Sequence, residues 1–198
     1  MINRLRDSRC WIFDLDGTLT LPVHDFGYIR RELAVPDGSD ILGHLAALPE
    51  SAAISARQRL DEIELELAAR AEAAPGAVPL LERLAGLEVC LGILTRNSRE
   101  IALLTLQSIG VAGLFPVEHV LGRDEALPKP EPDGILHLLD LWCGRGDSAV
   151  MVGDYLFDLQ AGRAAGALTV HVGRPDGQRW PAATDITVTT LAELLELL

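Results

Sequence analysis

The sequence predicts an α/β fold: a doubly wound parallel sheet with a small α-helical cap inserted near the N-terminus. Short apolar runs recur along the 198 residues, and segments with helical periodicity separate them. This alternation is typical of parallel βαβ units. The apolar runs are nearly continuous, as expected for strands buried on both faces. One early stretch of roughly 55 residues lacks any strand pattern and indicates a helical insertion.

Five segments are predicted to be strands. Four have nearly continuous apolar character, and the fifth is a weaker, alternating segment. They are CWIFDLD (10–16), VCLGILT (89–95), AVMVGD (149–154), LTVHV (168–172) and DITVTT (185–190). Because helical patterns lie between them, these strands are expected to join one parallel sheet.

Helical patterns occupy the intervals between these strands. One helix is delimited by Ser98, a plausible N-cap, and by Gly110, a C-terminal stop. Pro132 and Gly144 bracket another. The helical segments are predicted at 98–110, 133–144, 156–166 and 191–198. The segment PGAVPLLERLAG (75–86) returns the chain to this βαβ order.

The insertion is predicted to form a separate helical cap. Its three helical patterns are FGYIRREL (26–33), DILGHLAAL (40–48) and a long segment at 51–74. We therefore divide the chain into a core domain, residues 1–20 and 76–198, and a cap domain, residues 21–75.

Composition excludes several classes of function. The net charge of −12 disfavours binding to nucleic-acid backbones. No apolar run is long enough to cross a bilayer, and we read no signal peptide. The three cysteines show no metal-binding or redox spacing. We expect a cytoplasmic protein, a monomer or weak homodimer, without nucleic-acid or membrane partners.

Polar residues lie at the carboxyl ends of the predicted strands, where parallel sheets bind ligands. Asp14 and Asp16 are two positions apart, so both carboxylates can face one crevice. Another pair, Asp154 and Asp158, is one helical turn apart. The second strand ends in Thr95, Arg96 and Asn97, just before a predicted helix. The N-terminus of a helix favours the binding of phosphate oxygens.

Lys129 is the only lysine among seventeen basic residues. A site that needs a compact point charge cannot replace lysine by the planar fork of arginine. Pro128 and Pro130 flank this lysine and would restrict its approach. Chance alone could also account for a single lysine, so its meaning depends on the carboxylates around it.

These residue types together indicate phosphoryl transfer. Clustered carboxylates need a cation, and a set of hard oxygen ligands suits Mg²⁺. Mg²⁺ and lysine together suit a phosphoryl group. One aspartate could attack phosphorus, and a second could transfer protons.

The motifs resemble those of haloacid dehalogenase superfamily phosphohydrolases, in the phosphoglycolate phosphatase-like subgroup with a helical C1 cap. DLDGTLT is similar to the first motif of that superfamily, ILTRN to the second, KPEP to the lysine motif and VGDYLFD to the last. All four occur in the family order, and the predicted cap lies where that subgroup has it.

The resemblance implies roles for individual residues. Asp14 would be the nucleophile and Asp16 the general acid and base. Thr95 and Lys129 would hold the phosphoryl group, with Asn97 and Arg96 lining the site. Mg²⁺ would be bound by Asp14, the backbone carbonyl of Asp16, Asp154 and, directly or through water, Asp158, which would also orient Lys129.

The entry to the cap is predicted to contact the substrate. At least one of His24, Tyr28, Arg30 and Arg31 is expected to face the site, because a short cap reaches inward only with long side chains. Two adjacent arginines indicate an anionic leaving group. They could instead pair with acids on the cap surface. We expect a small anionic phosphorylated metabolite, such as a phosphorylated hydroxy acid or sugar phosphate.

Other functions were weighed against the phosphatase. Dehalogenases of the superfamily lack the second aspartate, so Asp16 argues against one. Phosphonate-cleaving members use a cap lysine, and residues 21–75 contain none. A sugar-phosphate mutase keeps all four motifs and stays open. A phospho-receiver domain would have adjacent acidic residues at its first strand and its phosphorylated aspartate at a later strand. Here the two aspartates of the first strand are separated by one residue, and a long insertion follows them. A catalytically inactive binding protein with this fold is disfavoured, because no motif residue has been lost from this sequence.

Overall fold

A single parallel sheet forms the centre of the protein. The computed structural model describes residues 1–23, 25–173 and 177–198. Its strands are β1 (Cys10–Phe13), β2 (Cys90–Leu94), β3 (Val120–Leu121), β4 (Ala149–Gly153), β5 (Leu168–Val172) and β6 (Ile186–Val188). Their order is β3-β2-β1-β4-β5-β6, and all neighbours are parallel. The predicted doubly wound α/β fold is confirmed.

Helices cover both faces of this sheet and form the early insertion. They are α1 (Ile2–Asp7), α2 (Phe26–Glu32), α3 (Ile41–Ala46), α4 (Glu50–Ala68), α5 (Ala77–Ala85), α6 (Arg99–Ser108), α7 (Asp133–Leu141), α8 (Leu156–Ala164) and α9 (Leu191–Glu196). Among the described residues, no helix combines the length and apolar character needed to span a bilayer.

The central strand shows why the strand sequences are apolar throughout. Trp11 and Phe13 point into a core that α5, α6 and α9 cover, whereas Ile12 points into a second core under α7 and α8. Successive residues of a strand alternate between faces, so burial on both faces requires an uninterrupted apolar run.

The insertion has a hydrophobic cluster of its own. Six buried residues from α2, α3, α4 and the loop after α2 form it: Ile29, Leu33, Val35, Leu45, Leu60 and Ile63. Where the chain leaves and re-enters the core, the two segments run side by side. Leu21 N–H donates to Glu72 O at 2.9 Å, and Ala74 N–H donates to Leu19 O at 2.8 Å. Both crossings therefore lie directly beside the turn that follows β1.

Strand β3 and helix α1 were not predicted from the sequence. Strand β3 has only two residues, which is too short for a periodic pattern. Helix α1 lies in the N-terminal segment before β1, where no helix was predicted. Only one of its residues, Leu5, is buried, so the segment lacks an apolar stripe.

Candidate active site

The strand order brings the predicted polar residues together. Strand β1 lies between β2 and β4, so the residues that follow these three strands meet at one edge of the sheet. Asp14 follows β1, Thr95 follows β2 and Asp154 follows β4. The ladder continues one residue past β1, because Asp14 N–H donates to Val152 O at 2.9 Å. This bond holds the Asp14 backbone against β4.

Lys129 lies between two carboxylates. Its Nζ atom is 2.6 Å from Asp14 Oδ1 and 2.6 Å from Asp158 Oδ1. The lysine is buried, at 3% relative exposure. Burial alone would lower the pKa of Lys129, but the charges of Asp14 and Asp158 outweigh it and raise that pKa above its ordinary value. Lys129 is therefore a permanent cation within the site.

Three carboxylates form a cluster suited to a divalent cation. Oxygen atoms of Asp14, Asp154 and Asp158 lie within 4.8 Å of one another. Burial and repulsion from Asp14 and Asp158 raise the pKa of Asp154 to about 8. Burial raises the pKa of Asp158 to about 6, although Lys129 opposes this shift. The single positive charge of Lys129 does not balance the negative charge of three carboxylates. The hard oxygen donors of this cluster fit Mg²⁺.

A glycine lets the turn after β1 approach this cluster. Gly17 has φ +87°, and a Cβ atom there would lie 2.7 Å from Asp154 Oδ2. Any other residue would be strained and would collide with a carboxylate of the cluster. The Asp16–Gly17 turn can therefore pack directly against Asp154.

Asp16 has different surroundings from those of the cluster. Its Oδ2 accepts a hydrogen bond from Asn97 Nδ2 at 2.8 Å. Burial and repulsion from Asp14 raise the pKa of Asp16 to about 7, and a hydrogen bond from Thr95 opposes this shift. A carboxyl group with such a pKa can hold or release a proton near neutral pH.

A cavity of about 500 Å³ joins these residues to the insertion. Its core side includes Asp14, Asp16, Thr95, Arg96, Asn97, Lys129, Asp154, Tyr155, Phe157 and Asp158. Its other side is formed by the insertion, with Phe26, Ile29, Arg30, Ser39, Asp40, Leu60 and Glu64 among the lining residues. The lining thus combines apolar side chains, such as Ile29 and Leu60, with many charged ones.

The sequence model of the haloacid dehalogenase-like hydrolase family matches residues 9–166. The chain belongs to this family. An uncharacterized hydrolase of Saccharomyces cerevisiae is 29% identical over 98% of this chain and 92% of its own length. A phosphoglycolate phosphatase of Chromobacterium violaceum is 27% identical over 98% of both chains. The predicted family is confirmed, and the chain is a hydrolase.

A solved structure supports the same fold for this haloacid dehalogenase-like hydrolase. The crystal structure of a hydrolase from Pseudomonas syringae aligns with a TM-score of 0.74, over 96% of this chain and 98% of that one. The two sequences are 22% identical, so the likeness concerns the fold.

Among the residues predicted to contact the substrate from the cap entry of this hydrolase, some line the cavity and others do not. Arg30 lines the cavity, and its Nε and Nη1 atoms donate to Ser39 O and Phe26 O at 3.3 Å each. Arg31 is exposed and is not among the lining residues. Tyr28 is exposed and contacts Arg59 through its hydroxyl group. His24 lies outside the described residues.

Two arginines of the core form ion pairs with the insertion, and sequence reasoning missed these pairs. Arg123 Nη1 lies 2.9 Å from Glu64 Oε2, and its Nη2 donates to Asp61. Arg96 Nη2 lies 2.6 Å from Asp40 Oδ1. Each partner is more than fifty positions away in the chain, so no local pattern could have indicated the pairs.

Arg123 also supports the loop after β2. Its backbone N–H donates to Asn97 O at 2.9 Å, and its Nη1 donates to Arg96 O at 3.4 Å. Burial outweighs the attraction of Arg123 and raises the pKa of Glu64 to about 7. One arginine thus connects the insertion to the loop that carries Asn97, the partner of Asp16.

Proposed function

We propose that this hydrolase is a Mg²⁺-dependent phosphatase that acts on a small anionic phosphomonoester. The observation that carries the proposal is the position of Lys129 between Asp14 and Asp158, beside Asp154. A lysine and a carboxylate cluster at strand ends suit a phosphoryl group with a divalent cation. The relative named a phosphoglycolate phosphatase supports the same reaction class.

Asp14 would be the nucleophile. Its carboxylate attacks phosphorus, the bond to the leaving oxygen breaks, and an aspartyl phosphate forms. Asp16 donates its proton to the leaving oxygen. In the second half-reaction Asp16 takes a proton from water, whose oxygen attacks phosphorus, and Asp14 is released as a carboxylate. The pKa of about 7 at Asp16 suits both proton transfers.

Lys129 and Thr95 would hold the phosphoryl oxygens. Lys129 offers an ammonium group that Asp14 and Asp158 fix in place. Thr95 is buried at the N-terminal side of α6, and its hydroxyl accepts from Asn97 N–H at 3.1 Å. Mg²⁺ would be held by Asp14, Asp154, the backbone carbonyl of Asp16 and, directly or through water, Asp158, and it would neutralise charge on the phosphoryl oxygens.

The leaving group would occupy the side of the cavity that the insertion forms. Arg30 and Arg96 are the cationic side chains among its described lining residues, apart from Lys129. They favour an anionic leaving group, such as that of a phosphorylated hydroxy acid or a sugar phosphate. The apolar residues Phe26, Ile29 and Leu60 would exclude water around it.

A panel of phosphorylated hydroxy acids and sugar phosphates tests this proposal. We expect release of inorganic phosphate with MgCl₂, loss of activity with excess EDTA, and recovery when Mg²⁺ is restored. Asp14→Asn is the matched inactive control. Full activity in EDTA, or no hydrolysis of any phosphomonoester, would contradict the proposal. Isomerisation of a sugar phosphate without release of phosphate would indicate the mutase instead.

A further inference from the structure

The guanidinium group of Arg96 has a hydrogen-bond donor, Nε, that no other group uses among the described residues. Its Nη2 donates to Asp40 Oδ1 at 2.6 Å, while the buried Nε atom has no hydrogen-bond partner within residues 1–23, 25–173 and 177–198. The guanidinium carbon lies 5.2 Å from the centroid of the Phe157 ring. The arginine is therefore held in place by an aromatic face, with one of two neighbouring donors unused.

This geometry matches a carboxylate. Nε and Nη2 lie on the same edge of the planar guanidinium group, and together they can donate to both oxygens of one carboxylate. Asp40 uses only the Nη2 donor. A buried donor without a partner costs free energy, which a ligand with two suitably placed oxygens would recover.

Asp40 can leave Arg96 without losing its other role. Its Oδ2 atom accepts from Gly43 N–H at 2.8 Å and caps helix α3. The Asp40 side chain is 44% exposed, so water can solvate its charge after it separates from Arg96. The Asp40–Arg96 pair is thus an exchangeable contact.

Arg96 lines the same cavity as Asp16, the group expected to protonate the leaving oxygen. The next residue, Asn97, donates to Asp16 at 2.8 Å, and all three residues line the same cavity. Arg30 is arranged differently, because its hydrogen bonds go to backbone carbonyls of Ser39 and Phe26 in the insertion. Arg30 holds the segment that presents Asp40, whereas Arg96 has an acidic partner that a substrate could replace.

We propose that Arg96 determines specificity by binding a carboxylate of the leaving group through Nε and Nη2, and that Asp40 is its internal competitor. The inference rests on the proposed phosphatase function. A substrate with a carboxylate displaces Asp40 and satisfies both donors. A neutral leaving group leaves the Asp40–Arg96 pair intact, so discrimination occurs by exchange of one carboxylate for another.

Two substrates of equal size test this exchange: 3-carboxyphenyl phosphate and 3-carbamoylphenyl phosphate. Wild-type enzyme should have the higher kcat/KM for the carboxylate. Arg96→Gln should raise KM about tenfold more for the carboxylate substrate than for the amide substrate. Asp40→Asn keeps the helix cap but removes the competing charge, so it should lower KM for the carboxylate by roughly fivefold without changing kcat.

Glu32→Gln is the matched control. It removes a carboxylate of α2 that lies 2.7 Å from Arg59 and outside the cavity, and it should affect neither substrate. Equal changes for both substrates in Arg96→Gln and Asp40→Asn, or no change, would overturn the inference while hydrolysis continues. Hydrolysis of neither substrate, with or without Mg²⁺, together with no activity on other phosphomonoesters, would overturn the proposed function and the inference with it.

Discussion

The Nζ atom of Lys129 lies 2.6 Å from Oδ1 of Asp14, although 115 positions separate the two residues in the chain. Asp158 takes a second contact of the same length. A compact ammonium group with three donors can satisfy two carboxylates and still face a phosphoryl oxygen. A guanidinium group is larger and presents its donors in a fixed plane.

Lys129→Arg should therefore fail nearly as badly as Lys129→Ala. We expect kcat/KM to fall by about 10²-fold or more in both variants, because the larger group displaces Asp14 from its position. Steady-state kinetics would measure the loss, and thermal unfolding would identify a variant that is merely unfolded. Near-normal kinetics in the arginine variant would mean that only the charge of Lys129 matters.

Asp14→Asn and Asp16→Asn should differ in their dependence on the leaving group. The amide at position 14 is not a competent nucleophile, so turnover of every substrate should stop. Asp16→Asn should lower the turnover of an alkyl phosphate by about 10²–10⁴-fold through loss of proton transfer.

Phosphorylation of Asp14 by 4-nitrophenyl phosphate should be less affected in Asp16→Asn, because that leaving group needs no proton. A rapid burst of 4-nitrophenol in this variant would support the assigned roles. Normal kcat in Asp14→Asn would exclude the aspartyl phosphate.

Asp154→Asn should weaken metal binding independently of catalysis. Mg²⁺ should raise the melting temperature of the wild-type protein, since a ligand at 100 times its Kd adds about 2.7 kcal/mol to the free energy of unfolding. Asp154→Asn should lose most of this shift. Asp147→Asn is the matched control, because Asp147 is exposed and precedes β4 at the other end of that strand. Equal Mg²⁺ shifts in both variants would place the metal elsewhere.

Arg123→Ala should loosen the contact between the core and the insertion. It leaves Glu64 buried without its guanidinium partner, which should cost about 1–3 kcal/mol of unfolding free energy. KM should rise as well, because Arg123 also supports the Arg96–Asn97 loop. Arg59→Ala removes a more exposed arginine of α4 and should change stability by at most about 0.5 kcal/mol. A similar stability for both variants would contradict the assigned role of Arg123.

Glu64 should make stability depend on pH. Its pKa is about 7 in the folded protein and 4.5 ordinarily. Between these values the folded state retains a proton that the unfolded state has lost, so the free energy of unfolding falls as pH rises, by at most about 1.4 kcal/mol per pH unit.

Glu64→Gln cannot titrate and should lack this part of the slope. Denaturant unfolding of both proteins between pH 5 and pH 7 measures the difference. Parallel curves would show that Glu64 keeps an ordinary pKa.

The position of the candidate active site was predictable because it depends on local patterns. Apolar runs that alternate with helices require parallel strands, and the carboxyl ends of parallel strands share one edge. That rule explains why Asp14, Thr95 and Asp154 lie near one another. Lys129 was identified by its rarity in the chain rather than by any element, since it lies in a loop.

The orientation of the insertion was not predictable in the same way. Arg30 and Arg31 have the same chemistry and adjacent positions, yet only Arg30 lines the cavity. Neighbouring residues of a helix point about 100° apart, so the angle at which α2 packs decides which one faces inward. Strand β3 was missed because two residues carry no period.

The sequence by itself determined the parallel sheet, the edge that carries the polar residues and the family, because these follow from periodicity, order and motifs within short segments. Only the tertiary structure decided that Asp40 pairs with Arg96 and that Glu64 pairs with Arg123. Those contacts join residues more than fifty positions apart. They depend on how the insertion, with its own hydrophobic cluster, packs against the core, and no local sequence pattern determines that packing.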